Sequence, residues 1–200
     1  YSLEHMGDYE LARVRFHRAL SVDSSSIKAH SGYVESLFYM RQIDRAIKEY
    51  EERIVRHPDN NVYLYSLGLA YSFKGTEGAQ LDGNPDGIDP ESLNRSSATI
   101  ARALSYDYNM VPGYLTVAFN YEMMERYLAR QDRQKKPIFV RVVDTATAPV
   151  QWLYRLLTFY EERKPPRYYE RAVHELTKAI GLNDEKTEPE LEATLALNLA

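Results

Sequence analysis

Apolar side chains recur along this chain three and four residues apart, in blocks divided by short polar turns, which predicts a succession of amphipathic helices. Two blocks superimpose. GDYELARVRFHRALSVDS (residues 7–24) and RQIDRAIKEYEERIVRHP (residues 41–58) place Ala12 on Ala46, Phe16 on Tyr50 and Leu20 on Ile54, each pair about 34 residues apart. The segments before them keep the same step, with His30 on Leu64, Tyr33 on Leu67, Val34 on Gly68 and Leu37 on Tyr71. A later copy, YLTVAFNYEMMER (residues 114–126), follows LYSLGLAYSFKG (residues 64–75) after about 50 residues. It sets Tyr114 on Leu64, Val117 on Leu67, Ala118 on Gly68 and Tyr121 on Tyr71. SSATIARALSYDYN is displaced equally, with Ser96, Ile100 and Ala103 in the roles of Ala46, Tyr50 and Arg53. The roughly 16 extra residues therefore lie between the two helices of one repeat, at residues 76–91.

Packing explains the spacing. Gly68 or Ala118 in a first helix lets the second helix of the pair approach, and Ala12 or Ala46 in a second helix admits the next first helix. Asp23 and His57-Pro58-Asp59 are expected to end each pair, because Pro cannot continue a helix and Asp caps the following one.

These recurring positions resemble the tetratricopeptide repeat (TPR) family, and LYSLGLAYSFKG is close to that family's first-helix consensus. The resemblance implies an all-α fold: a right-handed superhelical solenoid of antiparallel helix pairs. The third repeat would carry an insertion loop, and an irregular segment would follow the fourth first helix. It implies a TPR-like array over residues 1–126, with residues 76–91 an acidic insertion loop. Residues 127–151 read as an irregular connecting segment, since PIFVRVVDTA is rich in β-branched residues. Residues 152–200 resume TPR-like helices, truncated at the C-terminus. TAPVQWLYRLLTFYEER reads as a helix capped by Thr147 with Pro149 in its first turn. Pro165 and Pro166 form a rigid link to RYYERAVHELTKAIGLND, where Ala172, Leu176 and Ala179 take the roles of Ala12, Phe16 and Ala19. PELEATLALNLA looks like the first helix of a further repeat. The start at Tyr1 and the apolar end both suggest a piece of a longer protein.

Composition narrows the functions. Hydrophobic residues at 44% and charged ones at 27% suit a folded chain and not general disorder. A net charge of -4, with RQDRQKK as the sole basic cluster, argues against nucleic acid as the partner. No cysteine is present, which removes disulfides and thiolate chemistry. No apolar run is long enough for membrane insertion. The histidines (His5, His17, His30, His57 and His174) are dispersed, without HExxH spacing, and GTEG lacks the strand and lysine of a phosphate loop. No enzyme is expected. His30 reads as a packed histidine, and His57 as a cation at a helix end.

QLDGNPDGIDPES leaves two readings. Asp82, Asn84, Asp86 and Asp89 offer hard oxygens around the Gly87 turn, as a calcium loop would. The later half departs from that pattern, with Leu93 in place of the closing carboxylate. Alternatively NPDG is a turn and Asp89-Pro90-Glu91 a helix start, on an acidic surface loop.

By resemblance, the first helices line a concave groove that binds a peptide or helix of a partner protein. Their inward positions are Glu4 and His5; Lys28, Ser31, Glu35, Phe38 and Tyr39; Val62, Tyr65, Leu69, Ser72 and Phe73; and Leu115, Phe119 and Met123. Chaperone-tail binders of this family use Lys and Asn where this chain has Ser31, Glu35, Tyr65 and Leu69, which argues against that ligand. The expected function is a protein-interaction module within a larger protein. The alternatives are a groove filled by the chain itself, with Phe73 and Phe119 as core, and a structural spacer or self-association platform.

Overall fold

The computed structural model describes residues 3–135 and 168–183. The segments read above as PIFVRVVDTA, as the helix capped by Thr147, as the Pro165-Pro166 link and as PELEATLALNLA lie outside them. Within the described residues every regular element is a helix: α1 Leu3–Val22, α2 Ile27–Tyr39, α3 Ile43–Arg56, α4 Asn61–Leu81, α5 Pro90–Tyr106, α6 Val111–Lys135 and α7 Tyr168–Asn183. None of them is long and apolar enough to cross a membrane.

The order of packing follows the chain. α1 packs on α2, α2 on α3 and α4, α3 on α4, α4 on α5 and α6, α5 on α6, and α6 on α7. Three apolar clusters run through this ladder. Tyr33, Leu37 and Phe38 of α2 meet Ala46 and Tyr50 of α3 and Leu67 and Ala70 of α4. Leu64 and Tyr65 meet Ile100 and Ala103 of α5 and Val117 of α6. Ile88 and Leu93 meet Met123 and Met124, with Tyr168 of α7 packed against them. Each cluster joins consecutive layers, so a helix buries two faces and no single pair is a core by itself.

Gly68 lies at a close crossing. A Cβ built there would stand 2.4 Å from Ile100 Cγ1, so α5 lies directly on the bare backbone of α4. Ala46 occupies the other small position and is fully buried in the first cluster.

Helix ends follow local chemistry, with corrections to the expected caps. α2 is capped by Ser26, which accepts from Ala29 N, and α4 by Asn60, which accepts from Tyr63 N. Asp23 instead accepts from the backbone and hydroxyl of Ser25, and Asp59 accepts from the Tyr106 hydroxyl. Between α2 and α3, Gln42 N donates to Leu37 O and Arg41 N to Phe38 O, the double bond of a Schellman turn. Its left-handed position is held by Arg41 at φ 57 rather than by glycine.

Three boundaries differ from expectation. α1 is one helix through Gly7, so Glu4 and His5 belong to the same helix as Ala12; their side chains are outside the described residues. α4 continues through residues 76–81, so the insertion is a helical extension followed by a loop of residues 82–89. α6 runs to Lys135, so residues 127–135 are helical and not irregular. α4 runs through Gly75 and Gly78 without breaking, because a helix carries on where each added residue still completes a backbone bond.

Candidate binding groove

α4 and α6 pack on one another as alternate members of the ladder, and an open groove of about 540 Å³ lies along them. Leu69 and Phe73 of α4 form one wall, and Leu115, Phe119 and Met123 of α6 the other. These five expected residues are brought together. Ser72, Thr116, Gln80, Ala79 and Arg126 complete the lining.

Gln80 and Ala79 were missed because residues 76–81 read as loop. The signal was present: Leu69, Ser72, Phe73, Thr76 and Gln80 continue one helical face at steps of three and four. Beneath the groove, Ser72 Oγ donates to Asn120 Oδ1 at 2.6 Å. Asn120 Nδ2 donates in turn to Ser96 Oγ at 2.8 Å and Ser97 Oγ at 3.2 Å. Asn120 is fully buried, so this amide joins α4, α5 and α6 with each of its polar atoms satisfied. It fixes the spacing of the groove walls.

The other expected groove residues divide. Lys28 and Glu35 are exposed, and Ser31 is half-buried, on the polar end of the face. Phe38 is fully buried and stacks on Phe73 with ring centroids 4.6 Å apart, so it supports the groove from inside and cannot meet a partner. Tyr65 and Val62 are buried, as is most of Met123. Burial pushes the Tyr65 hydroxyl above its ordinary value. Tyr39 stacks on Tyr9, with centroids 4.7 Å apart, and is half-buried.

His30 is packed, as expected. Its Nε2–H donates to the Ser24 carbonyl, so Nδ1 accepts from the Tyr50 hydroxyl at 2.6 Å. Burial holds its pKa below the ordinary 6.5, with Arg53 acting in the same direction and the Ser24 carbonyl and Asp23 opposing.

The four loop residues that a calcium site would use make other contacts. Asp82 pairs with Arg41 at 2.6 Å, and Asp86 faces Arg130 at 3.6 Å. Asn84 Oδ1 accepts from Asp86 N, and Asp89 caps α5 by accepting from Glu91 N and the Ser92 hydroxyl. The four side chains are thus directed to four different tasks. Among the described residues no group of three or more His, Asp or Glu is gathered in a way that could hold a metal. Backbone contacts shape the loop instead. Asp89 N donates to Gly75 O, Asn84 N to Gly78 O, and Ala79 N to Gly87 O. Gly78 and Gly87 touch backbone to backbone: a Cβ on Gly87 would stand 2.6 Å from Gly78 C. The GTEG glycines therefore seat the loop on α4.

No protein-family model, curated protein or solved structure matches this chain.

Proposed function

We propose that the chain is a TPR-like solenoid acting as a protein-interaction module, with a bulky apolar side chain of a partner's peptide or helix seated between α4 and α6. The carrying observation is the groove itself, with leucine and aromatic walls over a satisfied polar floor. The packing order of the helices and the bare crossing at Gly68 support the solenoid reading. Rigid walls bind without the cost of ordering themselves, and an apolar anchor seated between them contributes most of the affinity.

Leu115 provides the test. It lines the groove and packs into none of the three core clusters, whereas Phe73 and Phe119 do both. Peptides selected from a random display library on the parent chain should share a bulky apolar residue. Their binding should fall by about tenfold with Leu115→Ser, while the thermal transition moves little. Selected peptides without an apolar anchor, or indifferent to Leu115→Ser, would overturn the reading. Apolar peptides that bind only alongside a rise in oligomeric mass would favour the self-association platform.

A further inference from the structure

A second concavity, about 410 Å³ in volume, lies on another face of the molecule, between α1 and α3. Its chemistry is opposite to that of the groove. Arg13 and His17 reach it from α1, and Arg45, Arg53 and Arg56 from α3, with Glu49 and Glu52 as the acidic members. With His17 neutral, the positive charges of this lining outnumber the negative ones.

Two of the arginines already hold carboxylates. Arg13 grips both oxygens of Glu10 through Nε and Nη2, the bidentate fork that suits a planar carboxylate. Arg45 Nε donates to Glu49 Oε1 at 2.9 Å, while Glu49 Oε2 accepts from the Tyr33 hydroxyl at 2.7 Å. The other two hold none among the described residues. Arg53 lies with its guanidinium carbon 5.5 Å from the ring centroids of both Tyr50 and Tyr63. That stacking fixes the guanidinium and leaves its N–H edge to other acceptors. Arg56 donates Nε to the Glu52 carbonyl and makes no ion pair among the described residues. Spaced three residues apart on α3, Arg53 and Arg56 lie on one face.

We propose that this cleft binds an acidic peptide segment of a partner protein, with its carboxylates on Arg53 and Arg56. The side chains that Arg13 and Arg45 already accept are carboxylates, and the volume suits a few residues of extended chain. Val14 offers an apolar edge for the stem of a glutamate.

The test is fluorescence anisotropy of a labelled hexaglutamate peptide with the full chain at low salt. Binding is expected, with a loss in high salt as the charges are screened. Arg53→Gln with Arg56→Gln should weaken it by about tenfold or more. Arg56→Gln alone, at an exposed position, should weaken it by about threefold and serves if the double variant unfolds. Leu115→Ser should leave it unchanged, which separates this site from the apolar groove. No hexaglutamate binding, equal binding by a folded Arg56→Gln, or loss with Leu115→Ser would each overturn the proposal. So would binding of a phosphoserine peptide or inorganic phosphate when hexaglutamate does not bind.

Discussion

The groove between α4 and α6 and the cleft between α1 and α3 are both formed by helices two places apart in the chain, yet they present opposite chemistry. The groove is an extension of the core. Its Phe73 wall rests on buried Phe38, and its floor is a closed hydrogen-bond network around Asn120. The cleft is an extension of the surface, where arginines are divided between neighbouring carboxylates, tyrosine rings and a backbone carbonyl. Damage to packing should therefore disable the first before the second, whereas changes of charge should touch only the second.

Phe38→Ala should have the largest effect. Removing a fully buried ring costs about 3–5 kcal/mol, and Phe73 would lose the surface that positions it. Denaturant unfolding should show the loss, and groove-directed peptides should bind more weakly under folding conditions. An unchanged midpoint would mean that Phe38 is surface after all and that the groove is wider than described.

Acid should act on the cleft side. His30 is held neutral against Tyr50, over whose ring Arg53 lies. Its folded pKa is below its ordinary 6.5, so the folded state resists protonation while the unfolded chain accepts the proton. The contribution is complete above 6.5 and is lost as pH falls from there towards the lower folded value. The Tm of the parent should drop between about pH 7.5 and pH 5.5 by more than that of His30→Gln, which cannot titrate. Equal slopes in the two proteins would remove His30 as the source.

Arg41→Gly should do least and serves as the control for both regions. Glycine relieves the left-handed backbone at φ 57 and loses an exposed pair with Asp82, two small effects of opposite sign. A Tm within about 2 °C of the parent is expected. A large fall would show that the Asp82 pair anchors the loop of residues 82–89 more strongly than its exposure suggests.

Much of the helix order was legible, because amphipathic spacing reports which face of each helix is buried. The spacing of residues places Gly68, Ala46 and Ile100 at packing positions, and Asp89-Pro90 reads as a helix start. The face assignments failed where spacing could not measure depth. Phe38 and Phe73 are both assigned to the inward face, but one is covered by the other. Similarly, Asp82, Asn84 and Asp86 alternate as ligands would, but Arg41 and Arg130 come from distant parts of the chain to claim two of them.

Most of the helices, their small crossing residues and the acidic turn were legible along the chain, since these depend on local propensity and on periods of three and four residues. Which aromatic residues remain accessible, which carboxylates are paired and which arginines are not came from the packing of one helix on the next. Those outcomes depend on what the neighbouring helix places within a few ångströms, a distance that no spacing along one helix encodes.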